Sequence, residues 1–185
     1  MNIIETGRLV LRPWRESDSK SLYKYAKNPN VSETAGWSAH KNQKESRDII
    51  VNVLSANETY AITLRGKENA IGSIGIMFKN ESNLIIGEHD IEIGYWIGEP
   101  FWGHGFVTEA LSAVIEHAFK DLSSETIWCG YFEGNERSKR VQEKCGFKFH
   151  HTENNRLWAM TNEIKTIHIS CLTREEFIEK RVAPI

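Results

Sequence analysis

At 185 residues the chain has the length of one compact domain, and 40% hydrophobic with 10% aromatic residues is enough to bury a substantial core, which excludes a disordered segment. The formal net charge of -2 comes from interleaved acids and bases without a basic run, so nothing marks a surface for nucleic acid or an anionic membrane. Met1 to Glu5 meet a charge before any apolar stretch, no segment approaches the ~18 apolar residues of a membrane span, and Cys129, Cys145 and Cys171 form no CxxC pair; a cytoplasmic protein with reduced thiols is expected.

Arg8 to Trp14 reads as a first strand, with Leu9 and Leu11 on one face and Pro13 near its end. Glu16 to Lys27 follows a helical spacing through Leu22, Tyr25 and Ala26. A second helix opens near Asn42, where Asn42-x-x-Glu45 resembles a cap and Ile49, Ile50, Val53 and Leu54 form the apolar stripe. Strands follow at Thr59–Leu64, Ala70–Phe78 and His89–Gly98; in the last, Ile91, Ile93, Tyr95 and Ile97 alternate with Glu92, Gly94 and Trp96. The strongest periodicity is a helix carrying Val107, Ala110, Leu111, Val114, Ile115, Ala118 and Phe119 on one stripe. Then come a strand at Thr126–Phe132, a helix at Asn135–Cys145, and strands near Gly146–Thr152 and Ile164–Leu172. Thr173-Arg-Glu-Glu176 is a capping box for a short terminal helix. The order βααβββαβαββ predicts an α/β layer architecture around a mixed sheet, with residues 1–185 as a single domain whose core runs from about 8 to 177.

The segment Glu99-Pro-Phe-Trp-Gly-His-Gly-Phe-Val-Thr-Glu-Ala110 joins a strand to a long helix through a loop with two glycines. Backbone N–H groups at such a helix start suit phosphate oxygens, and glycine lets the backbone come close to them. A P-loop would need Gly-Lys-Ser/Thr where Phe106-Val107 stands, and a dinucleotide fingerprint would need a third glycine at Thr108; both fail. A plain glycine-rich turn remains open on this segment alone.

The stretch from Glu92-Ile-Gly-Tyr-Trp-Ile97 into Phe101-Trp-Gly-His-Gly-Phe-Val-Thr-Glu-Ala-Leu111 resembles motif A of the GNAT superfamily of N-acyltransferases. Asn135-Glu-Arg-Ser-Lys-Arg-Val-Gln-Glu-Lys-Cys-Gly-Phe147 is similar to the second motif of its Rim-type branch, the ribosomal-protein N-terminal acetyltransferases. Glu5-Thr-Gly-Arg-Leu-Val-Leu-Arg12 and Ser170-Cys-Leu-Thr-Arg-Glu-Glu-Phe177 resemble that branch's opening and closing strands. Pro100 stands where the superfamily commonly has Gln or Arg, a departure the Rim-type branch tolerates.

The resemblance implies a mostly antiparallel central sheet flanked by helices on both faces. It also implies transfer of an acetyl group from acetyl-CoA to a primary amine by direct attack, without a metal. The pyrophosphate would lie on Trp102, Gly103, His104, Gly105, Phe106, Val107 and Thr108, and pantetheine along Tyr95-Trp96-Ile97. Glu92 would be the catalytic base; as a strand carboxylate it could instead be satisfied by a neighbouring cation. Gln142 occupies the place of the tyrosine that many members use to protonate the thiolate, which leaves Asn135 and Ser138 as the polar groups for the thioester end; Asn135 equally suits a helix cap. His104 also reads as a solvated loop residue. Trp37 would shape the acceptor pocket or pack as a lid. Cys145, on a helical stripe with Val141 and without a local histidine base, reads as a structural thiol rather than a nucleophile. The acceptor implied is a protein or peptide N-terminal α-amine, a ribosomal protein's among them, with small-molecule amines as the alternative and a non-catalytic acyl-CoA-binding module as a further one. The assembly expected is a monomer or homodimer.

Overall fold

The structure, a computed structural model, describes residues 1–182. The strands are β1 (Ile4–Glu5), β2 (Leu9–Pro13), β3 (Thr59–Leu64), β4 (Ala70–Phe78), β5 (Ile91–Ile97), β6 (Thr126–Phe132), β7 (Lys148–Trp158) and β8 (Glu163–Thr173). The helices are α1 (Ser19–Ala26), α2 (Pro29–Ala35), α3 (Gln43–Ile49), α4 (Phe106–Lys120), α5 (Glu136–Cys145) and α6 (Arg174–Val182). One eight-stranded sheet has the order β1-β2-β3-β4-β5-β6-β8-β7. The β1/β2, β2/β3, β3/β4 and β6/β8 pairs are antiparallel, and β5/β6 is parallel, setting Ile91 beside Ile127 and Glu92 beside Trp128. This is the mixed, mostly antiparallel sheet that was expected. The described residues divide into two compact units, one of Met1–Gly75, Tyr95–Ala110 and Trp158–Glu163, the other of Ile76–Gly94, Leu111–Leu157 and the described residues from Ile164.

In the first unit Trp14, Leu22, Ala26, Ile50, Ala61 and Ala70 form a buried cluster, with Ile49, Leu54 and Trp96 packed against it. Arg12 of β2 is buried because its guanidinium forks onto both Asp18 carboxylate oxygens, at 2.7 and 2.8 Å, and also donates to the Glu68 carbonyl. Unpairing such an ion typically costs about 3–5 kcal/mol. The helical spacing from Glu16 resolves into a 3-10 turn, Glu16–Asp18, leading into α1. Asn42 caps α3 by accepting the Glu45 N–H at 2.9 Å. A π turn at Ile50–Leu54 then adds a residue to the winding, so Val53 is 51% exposed rather than part of the stripe.

Helix α2 was not expected. Its seven residues lack an apolar stripe, but Asn28 caps it, Pro29 occupies its first position, and Gly36 ends it at φ +84°. In the second unit Ile127, Cys129, Ile167, Ile169 and Leu172 bury the β6/β8 pair, and Thr173 and Glu176 exchange both hydrogen bonds of the capping box. Strand β7 continues to Trp158, past the expected end at Thr152. As the terminal strand of the sheet it can carry Glu153, Asn154, Asn155 and Arg156 without burying them, so it shows no alternation.

Candidate active site

The loop Trp102–Gly105 lies in the first unit and leads directly into α4. Gly103 and Gly105 both have φ +76°, the left-handed region in which a Cβ is strained. Gly103, His104 and Gly105 are exposed, and a Cβ on Gly103 would meet nothing within 4 Å, so the backbone lies open to a ligand. Surrounding bonds fix its shape. The Trp102 indole donates to the Ile97 carbonyl at 3.0 Å, and His104 Nδ1 lies 2.9 Å from the Trp102 carbonyl. The His104 ring stacks on Phe106 at 5.8 Å. Arg8 of the opening segment donates to the His104 carbonyl at 3.0 Å, and its guanidinium lies over Phe106 at 4.6 Å. Glu109, in the first turn of α4, accepts from Thr6 Oγ1 at 2.6 Å, the Arg8 N–H at 2.8 Å and Arg8 Nε at 2.6 Å. Burial alone would raise its carboxyl, but the Thr6 and Arg8 bonds hold it below the ordinary glutamate range. Arg8 escaped the sequence reading, because ninety-six positions separate it from the carbonyl it binds. Fifteen helical residues after an exposed, left-handed glycine backbone fit a pyrophosphate, with Phe106, Val107 and Thr108 as the first turn.

Strand β5 ends in the same unit with Tyr95, Trp96 and Ile97. Gly72 of β4 lies so close that an added Cβ would come 2.4 Å from the Trp96 carbonyl. Trp96 stacks on Trp14 at 6.4 Å and meets Trp37 edge-on at 5.5 Å. The structure therefore brings Trp37 to the strand expected to hold pantetheine. Its indole Nε1 is buried with no hydrogen-bond partner, while Gly36 beside it accepts from the Trp158 indole at 2.7 Å.

Glu92, on the first half of β5, belongs to the second unit and is 6% exposed. Its Oε2 accepts the Ser82 hydroxyl at 2.8 Å and the Asn83 N–H at 2.7 Å. Burial pushes its carboxyl above the usual range, and the Ser82, Asn83 and Leu84 donors with the Arg156 charge offset only part of that. Neutral donors, rather than a directly bonded cation, hold the carboxylate. Such a group can take a proton near neutral pH more readily than an exposed glutamate.

Asn135 and Ser138 also lie in the second unit. Asn135 Oδ1 caps α5 by accepting the Ser138 N–H at 3.2 Å, so it fills the capping role. Gln142 is 1% exposed; its amide nitrogen lies 3.3 Å from both the Gly130 carbonyl and Ser138 Oγ, while Oε1 has no partner. Burial raises the Cys145 thiol, with Ser112 Oγ 3.6 Å away, which keeps it protonated and poorly nucleophilic. Among the described residues no group of three or more His, Cys, Asp or Glu is placed to hold a metal, and no helix is long and apolar enough to cross a membrane.

The profile described as "Acetyltransferase (GNAT) domain" matches residues 8–148. The chain belongs to the GNAT acetyltransferase family. It is an acetyl-CoA-dependent N-acetyltransferase. This acetyltransferase is 30% identical over 155 residues to the uncharacterized N-acetyltransferase YoaA of Bacillus subtilis, covering 79% of this chain and 82% of YoaA. Its fold matches a GNAT-family acetyltransferase from Bacillus anthracis with a TM-score of 0.81 at 21% identity, over 95% of this chain and all of the other. A candidate ribosomal-protein-serine acetyltransferase from Vibrio cholerae matches with a TM-score of 0.74 at 24% identity, over 93% and 97% of the two chains. The microcin C7 self-immunity acetyltransferase MccE, solved with acetyl-CoA and AMP, shares the fold with a TM-score of 0.75 at 19% identity, over 91% and 93%.

Proposed function

We propose that this acetyltransferase acts as one Rim-type domain that acetylates the α-amine of a protein or peptide N-terminus, with Glu92 as the general base. The carrying observation is the Glu92 carboxylate, buried and held on Oε2 by the Ser82 hydroxyl and the Asn83 N–H. The amine nitrogen attacks the thioester carbonyl carbon, the C–S bond breaks, and coenzyme A leaves as the thiolate. Glu92 accepts the proton that the amine releases. The backbone from Trp102 to Thr108 holds the pyrophosphate, Tyr95 to Ile97 orient pantetheine, Asn135 and Ser138 serve the thioester end, and Trp37 borders the acceptor. A carboxylate base, even one raised by burial, matches an α-ammonium of pKa ~7.7–8.0 far better than a lysine of ~10.4. The motif resemblance at both chain ends supports the same branch, as does the likeness to the Vibrio cholerae protein.

The test is competition between two peptides of one sequence, each with a single lysine, one with a free and one with a blocked N-terminus. Acetylation confined to the free peptide is expected. Equal transfer to both, or transfer only to a small polyamine, overturns the acceptor assignment.

A further inference from the structure

We propose that Arg156 is a positioning residue for the reaction: it holds the carbonyl of Asn83 so that the same residue's N–H stays on the Glu92 carboxylate. The inference rests on Glu92 acting as the base. It concerns a side chain between the strands expected near Gly146–Thr152 and Ile164–Leu172, and the whole cluster lies within one compact unit.

Asn83 is bound at both ends of its backbone. Its N–H donates to Glu92 Oε2 at 2.7 Å, and its carbonyl accepts from Arg156 Nη2. Its side-chain amide points to Met77 Sδ at 3.7 Å. The neighbouring Ser82 hydroxyl lies 2.8 Å from the same carboxylate oxygen, and its oxygen accepts the Leu84 N–H at 2.9 Å. The segment that grips the base is thus a short turn in which each donor depends on the placing of the next residue. Arg156 is the clamp on that turn from strand β7. Its other terminal nitrogen, Nη1, donates to Glu153 Oε2 at 2.5 Å, and Glu153 Oε1 lies 3.6 Å from His151 Nε2.

Arginine suits this place because one planar fork serves two acceptors in fixed directions, a carboxylate and a carbonyl. An ammonium would keep the charge and lose that geometry. The arrangement also accounts for how the charge reaches the base. The Arg156 guanidinium acts on Glu92 through space while its hydrogen bond ends on Asn83, so Glu92 keeps a carboxylate that is not consumed in a direct ion pair. Ser82, Asn83 and Leu84 facing it from the turn are neutral; Arg156 from β7 supplies the charge. As a partly exposed pair, with side chains 27% and 29% exposed, Arg156 and Glu153 contribute little to stability, typically under about 1 kcal/mol. A purely structural role would therefore leave turnover nearly unchanged.

The experiment uses the full chain with acetyl-CoA and an accepted amine, and compares the parent, Arg156→Gln, Arg156→Lys, Glu92→Gln and the Arg156→Gln/Glu92→Gln double variant. Arg156→Gln is expected to lower kcat roughly 10- to 100-fold, the effect of a slightly misplaced catalytic group, with KM for acetyl-CoA unchanged. The acid limb of its kcat–pH profile should move to higher pH, because the lost cation no longer favours the ionised base. Arg156→Lys should keep the limb near the parent position while recovering only part of the rate. In the Glu92→Gln background the Arg156 change should cost nothing further, since groups acting as a unit are not additive. A parent-like kcat and pH profile in both Arg156 variants overturns the proposal, and so does an equal loss with and without Glu92. If Arg156→Gln does not fold, Arg156→Lys decides through its kcat: a rate equal to the parent's overturns the positioning role. A Glu92→Gln enzyme as fast as the parent would instead sink the base assignment itself, a separate result.

Discussion

The glycine loop and the Glu92 cluster are built in opposite ways. The loop takes its form from neighbouring residues: two glycines at φ +76°, a tryptophan and a histidine bonded back onto the preceding turn, and a long helix at once afterwards. Arg8 braces it from a distance. Glu92 owes its character to residues that are remote in the chain, with Ser82 and Asn83 ten and nine positions away and Arg156 on a late strand. The first is a shape made by backbone conformation, the second a chemical property made by assembly. Local shape survives most distant substitutions, whereas an assembled property fails when any contributor moves.

The largest expected effect tests the assembled half. Glu92→Gln keeps the size of the side chain and removes the proton acceptor, so kcat should fall by ~10²–10⁴-fold while acetyl-CoA affinity holds. Calorimetry with coenzyme A and a pH–rate profile check both parts; a rate within twofold of the parent would remove Glu92 from the mechanism. The local half is tested by Gly105→Val. A β-branched residue at φ +76° is strained, and coenzyme A affinity should fall about 10- to 100-fold while circular dichroism stays native. Undiminished affinity would detach the loop from the phosphates.

A smaller effect concerns stability and pH. The folded-state carboxyl of Glu92 is raised, so the fold favours its protonated form. Its contribution is fully present below the unfolded pKa and is lost as pH rises through the folded one. The melting temperature of Glu92→Gln relative to the parent should therefore climb across that window and level off above it. A constant difference from acid to neutral pH would contradict the raised carboxyl. Least of all should change with Cys145→Ser, whose thiol burial keeps protonated: turnover within twofold of the parent is expected, and a loss of tenfold or more would reopen a covalent route.

Legibility followed the same division. The strand, loop and helix from Ile91 to Lys120 could be read because alternation, paired glycines and a 3.6-residue stripe are all local patterns. The cap at Asn42 and the box at Thr173–Glu176 were legible for the same reason. The order of strands β6, β8 and β7 carries no such mark. Arg156 was hidden in a polar run past the expected strand end at Thr152, since a terminal strand has no buried face to impose alternation. Helix α2 had its start and stop residues on view, Asn28-Pro29 and Gly36, but too few apolar positions between them to show a period. Which residues would hold the Glu92 carboxylate was invisible, because Ser82 and Asn83 meet it only in the assembled chain.

Both compact units are drawn from three separate stretches of chain, and this bears on how the protein forms. The first needs Trp158–Glu163 to join residues that left the ribosome more than eighty positions earlier, and the second needs the chain beyond Ile164. The indole of Trp158 reaches Gly36 across 122 positions, so that bond closes a loop spanning most of the molecule. Closure entropy for such loops must be met before their contacts give anything back, which slows folding relative to a helical bundle of equal size. A nascent chain halted before Trp158 should hold the glycine loop and its helix as unfinished, protease-sensitive segments, and acquire resistance only when the last strand emerges.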